Sequence, residues 1–109
     1  MTLDSRPVSR VRRQLAPHAA VENRMFGGVA FMIKGHMCLG VPGSELIVRL
    51  SPESAETALA EGGTRPFDLT GRQIKGWLLV SSEGTRHSAA LSKWIRRGVA
   101  FTDELPKMS

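Results

Sequence analysis

The sequence has a single cysteine, Cys38, so no internal disulfide can form. This suits a reducing compartment. No apolar run approaches the ~20 residues that cross a bilayer, and no basic-then-apolar signal segment opens the sequence. A soluble, cytoplasmic protein with no membrane contact is expected. The three histidines, His18, His36 and His87, lie in separate segments with no cysteine or carboxylate at metal-ligand spacing. Neither a metal nor any other cofactor is therefore expected. Phosphate-loop, dinucleotide and nucleophile-elbow strings are all missing. Asp103 and Glu104 are adjacent, so on a helix they do not face each other as a paired acid and base. Cys38 sits inside an apolar strand-like run, where it reads as a small buried hydrophobe rather than a nucleophile. No catalytic residue is nominated, and the chain is expected not to be an enzyme. Aromatic strands of the kind that stack single-stranded RNA are also missing, Phe31 being alone in its hairpin.

What is present is one domain's worth of chain. The 109 residues suffice for a single hydrophobic core, expected to span about residues 8–106. The net charge is +5, and its distribution is uneven. Residues 1–24 carry +3, residues 86–109 carry +3, and the 61 residues between them carry −1. Basicity gathers at the two ends, which permits phosphate contact and equally suits two solvated helix faces.

The segment PVSRVRRQLAPHA predicts a helix. Pro7 suits a first turn, Val8, Val11 and Leu15 recur at helical spacing, and Pro17 ends the pattern. Arg6, Arg10 and Arg13 fall on another face. Three short β-type runs follow: 29–33, 37–41 and 45–50. The first link, Lys34-Gly35-His36, reads as a hairpin turn, and Pro42-Gly43-Ser44 reads as a second turn. Links this short make an antiparallel meander. Ser51-Pro52-Glu53 predicts a capped helix start, and Gly62-Gly63 its stop. A loop with Pro66-Phe67 and Thr70-Gly71 precedes a fourth strand at 77–80. A last helix from about Ser88 to Phe101 places Leu91, Trp94, Ile95 and Val99 on one stripe, away from Lys93, Arg96 and Arg97. The expected fold is α+β, a two-layer antiparallel sheet with helices in the order α-β-β-β-α-β-α.

The runs at 29–33 and 37–41 are almost wholly apolar, where a half-wet sheet would alternate. Both faces of that hairpin are thus expected to be covered, with a homodimer or another protein partner completing the cover. Two groups of residues stand out as contacts. Arg24 with the Gly27-Gly28 amides could form a small anion nest, although a turn needing positive φ explains the glycines as well. Arg49 interrupts an apolar strand and reads as an outward cation or as a half-buried binder of an acidic group. Arg6, Arg10, Arg13, Lys93, Arg96 and Arg97 form the second group, the candidate contacts to DNA.

The string RMFGGVAFMIKGHMCLGV, residues 24–41, resembles the opening of the TfoX N-terminal domain (TfoX/Sxy family). The likeness continues through LIVRL with Arg49, Pro66-Phe67, Lys75-Gly76-Trp77, Leu91 to Trp94, and Leu105-Pro106. It covers about residues 10–106, and a stand-alone copy of that domain is expected. It implies a two-layer α/β domain, a regulatory role tied to natural competence genes, and no catalytic residues to transfer.

Overall fold

In the computed structural model, residues 6–25, 28–69 and 72–106 are described. Helix α1 spans Arg6–Leu15, and its predicted stripe holds: Val11 and Leu15 are buried and Val8 packs beside them. A 3-10 turn at Ala16–His18 containing Pro17 ends it, and Ala19 reverses the chain with φ 54°.

The strands are β1 (Val21–Met25), β2 (Gly28–Ile33), β3 (His36–Val41), β4 (Leu46–Arg49), β5 (Thr64–Leu69) and β6 (Arg72–Val80). They form one sheet in the order β1-β2-β3-β4-β6-β5, and every neighbouring pair is antiparallel. The expected order α-β-β-β-α-β-α is present, and β1 and β5 are added at the two edges. Both carry polar sequences, VENRM and TRPFDL. An edge strand owes its pairing to the neighbour's backbone, so its own residues signal it poorly. Pro66 and Phe67, expected in a loop, lie in β5, where an edge tolerates proline. Thr70 and Gly71 lie outside the described residues.

Lys34 and Gly35 turn β2 into β3 with φ of 55° and 84°, the twist-matched pair of a tight hairpin. His36 is the first residue of β3 rather than part of the turn, and its Nε2 lies 2.7 Å from the Pro106 carbonyl oxygen. Helix α2 (Pro52–Ala58) begins as expected, with the Ser54 N–H donating to Ser51 Oγ at 3.1 Å. Helix α3 (Ser88–Asp103) buries Leu91, Trp94, Ile95 and Val99.

The helices share one core with one face of the sheet. Val11, Leu15, Ala55, Ala58 and the α3 stripe pack with Phe31, Leu39, Val48 and Leu78. Gly98 of α3 leaves room there for Leu39 and Cys38, whose Cδ2 and Sγ would lie 3.1 and 3.5 Å from an added Cβ. The register explains why both of these neighbours face α3. Phe31 pairs with Leu39 but Met32 pairs with Met37, so Cys38 is a bulge residue and alternation breaks there. The other face carries the row Ala30, Gly40, Ile47 and Leu79, in register across four strands. Ala30, Ile47 and Leu79 are all buried within the chain, and the Met37 side chain lies over Gly40. The apolar runs therefore reflect a bulge and a self-shielded row. Covering that row does not call for a second subunit. No helix of the described residues is long and apolar enough to cross a membrane.

Candidate functional site

Arg49 is the last residue of β4, directly across from Trp77 on β6. Its guanidinium carbon is 5.3 Å from the Trp77 ring centroid and 5.7 Å from that of Phe101 on α3. Phe67 of β5 packs against Trp77, with centroids 6.3 Å apart and planes inclined by 50°. Three segments distant in sequence thus converge on one cation. Arg49 is half-buried, and among the described residues no hydrogen bond or ion pair engages its N–H groups. A guanidinium set against aromatic rings keeps its charge and its planar fork of donors available for a carboxylate or phosphate. Of the two readings of Arg49 in the sequence, the half-buried one describes its position.

Arg24 is not part of this cluster. It lies exposed on β1, three strands away from β4 in the sheet, so at a strand spacing of about 4.8 Å the two arginines are on the order of 14 Å apart laterally. Gly27 lies outside the described residues. Gly28 is in β2, opposite Met25, and its φ is not positive. Its glycine requirement is one of space: an added Cβ would overlap the Val41 carbonyl oxygen and stand 2.7 Å from Pro42 Cα. The close approach of β2 to the end of β3, rather than turn conformation, accounts for this second glycine of the pair.

The basic helices are partly committed inside the molecule. Arg10 donates from Nη2 to the carbonyl oxygens of Thr85, at 2.8 Å, and Arg86, at 3.1 Å. One turn on, Ser92 Oγ donates to Gln14 Oε1 at 2.6 Å, so α1 packs beside α3. Lys93 and Arg97 close on the two oxygens of Glu61 at 2.8 and 2.7 Å, and both lie against the Trp94 ring. Hydrogen bonds from Lys93 and then Arg97 hold the Glu61 carboxyl below its ordinary pKa. Arg12 is bidentate on Glu22, at 2.6 and 2.8 Å. Arg13 and Arg96 are exposed and meet no carboxylate among the described residues. The Arg6 side chain is not among those described. Of the six candidate DNA contacts, Arg10, Lys93 and Arg97 therefore hold the fold together, while Arg13 and Arg96 face outward.

Cys38 is fully buried, and burial pushes its thiol up to about 11, only partly offset by the neighbouring Thr102 hydroxyl, which favours the thiolate. Among the described residues no three His, Cys, Asp or Glu side chains converge as a metal-binding group. A groove of about 370 Å³, not foreseen from the sequence, runs between α1 and the β3–β4 turn, lined by Arg10, Val11, Val41, Leu46, Thr85 and Leu91. Its residues come from five segments, and no local pattern announces such a convergence.

The TfoX N-terminal domain family profile matches residues 13–102. No curated protein and no solved structure gave a significant match.

Proposed function

The chain belongs to the TfoX N-terminal domain family, and from that premise we propose that it is a non-enzymatic regulatory module that acts through contact with a macromolecular partner. The observation that carries this reading is Arg49. A cation held between Trp77 and Phe101, with no acceptor among the described residues, suits the acidic group of a partner. The withdrawal of the only thiol from solvent, and the scatter of the histidines, support a role without covalent chemistry. The regulated process is gene expression in the cytoplasm, with the natural competence genes implied by the family as the first targets to examine. The test is to delete the coding sequence and measure transcripts genome-wide. A defined set of transcripts falls and is restored by the wild-type chain. An unchanged transcript profile would overturn the reading.

A second reading rests on Arg13 and Arg96, exposed on neighbouring helices. They suit direct contact with DNA phosphates. Such binding weakens steeply with salt, with a logarithmic slope near −0.9 per phosphate neutralised. Binding to duplex DNA that ignores salt, or that survives Arg13→Ala with Arg96→Ala, would rule this reading out. A small acidic ligand seated on Arg49 is the third possibility, and it predicts a higher melting temperature in the presence of that ligand.

A further inference from the structure

β1 and β5 are the two edges of the sheet, and they are built differently. β5 contains Pro66, which has no N–H to offer, and its register slips between Pro66 and Asp68. Both features discourage a foreign strand from joining. β1 has neither feature. It contains no proline, and its register with β2 runs unbroken from Val21–Met32 to Met25–Gly28.

The sequence of β1 is also complementary to itself. In VENRM, Glu22 and Arg24 flank Asn23 and lie on one face of the strand, because residues two apart share a face. That face is the helix side, since Glu22 pairs with Phe31 of the core and receives Arg12 from α1. An antiparallel copy of the strand, related by a two-fold axis through Asn23, sets Glu22 opposite Arg24 of the second copy. The same axis sets Arg24 opposite the other Glu22. Both contacts then pair opposite charges at cross-strand distance. On the opposite face Val21 meets position 25 of the second copy. Among the described residues Val21 is the one exposed large hydrophobic residue, at 61%.

Arg24 has no hydrogen bond or ion pair among the described residues of its own chain. Glu22 is already held by Arg12, yet a carboxylate has about four acceptor positions and can serve two arginines. A strand of unrelated sequence would meet this edge with the right charges only by coincidence. A second copy meets it by symmetry.

We propose that the β1 edge is a homodimerisation surface, with β1 pairing antiparallel to β1 of a second copy about Asn23, so that one sheet continues across the two-fold axis. The contact is isologous, and it leaves Arg49, three strands away on β4, free in both subunits. It extends the regulatory reading without depending on it.

The test uses the full chain in sedimentation velocity at low salt over a wide range of protein concentration. The wild-type chain forms a dimer as concentration rises. Arg24→Glu sets Glu22 against Glu at position 24, and Glu22→Arg sets arginine against Arg24. Each change weakens the dimer by more than about tenfold. An equimolar mixture of the two single variants restores association, because every cross-strand pair in the mixed dimer is then of opposite charge. The double exchange in one chain restores it as well. Circular dichroism melts confirm that each variant is folded, and recovery in the mixture shows it independently. A wild-type chain that stays monomeric at every concentration overturns the proposal. So does an Arg24→Glu variant that dimerises as well as wild type, or a mixture that remains monomeric.

Discussion

Arg49 and Trp77 occupy facing positions on β4 and β6, and the guanidinium carbon lies 5.3 Å from the indole centroid. The pair joins the sheet to the end of α3 through Phe101. Arg49→Ala removes two cation–π contacts and the packing of the aliphatic stem. It should lower stability by about 1–2 kcal/mol, at roughly 0.5–1 kcal/mol for each contact. Arg49→Lys should retain part of this, because an ammonium keeps the charge but not the planar stacking. Urea unfolding measures both, and an alanine variant as stable as wild type would contradict the arrangement.

Gly28→Ala should be costly although alanine is a small residue. The added methyl meets the Val41 carbonyl, which is backbone and cannot swing aside. A loss of about 1–3 kcal/mol is expected for such overpacking. Gly43→Ala is the control, since nothing lies within 4 Å of its added Cβ. That change should stay within about 0.5 kcal/mol of wild type. Equal effects in the two variants would contradict the close approach of β2 to β3.

These two residues also mark how far the sequence could be read. The stripe of α3 and the Ser51 cap are local patterns found where the sequence places them, and the hairpin turn expected at Lys34-Gly35-His36 is made by Lys34 and Gly35. β1 and β5 are not local in this sense. Glu22, Asn23 and Arg24 say nothing of a strand until β2 supplies the hydrogen-bonding edge. The bulge at Cys38 likewise depends on the register with β2, and it accounts for an apolar run that alternation alone would assign to two covered faces. Arg49 stood out as a cation in an apolar strand, but its aromatic partners lie 28 and 52 positions further along the chain. The division of the basic residues into committed and outward-facing depended on where Glu61 and the Thr85 carbonyl came to rest.

Glu61 links α3 to the segment after α2, and its role depends on pH. Its carboxyl pKa is lowered in the folded chain, so the stabilisation is present above the unfolded value and is lost as pH falls through the folded one. The three side chains are each about a third exposed or more, so solvent screens the contacts. Glu61→Gln should therefore cost only about 0.5–1 kcal/mol at neutral pH. The gap between variant and wild type should close in acid, below the folded pKa of Glu61. Chemical denaturation at the two pH values tests this, and a gap that persists in acid would contradict the ion-pair origin.

Cys38 should be nearly inert in the native protein. At mildly alkaline pH a thiol titrating near 11 is almost wholly protonated, and this one is also buried. A thiol reagent should react more than about a hundredfold faster after unfolding in urea, because the thiolate is the reactive form. Native reaction at the unfolded rate would place Cys38 at the surface.

The most direct test of the regulatory reading returns to Arg49. A strain lacking the chain is complemented with wild type or with Arg49→Ala at matched protein levels, and the transcripts that respond to the deletion are measured. Wild type is expected to restore them, and the folded Arg49→Ala variant is not. Full restoration by Arg49→Ala would contradict a partner contact made through Arg49.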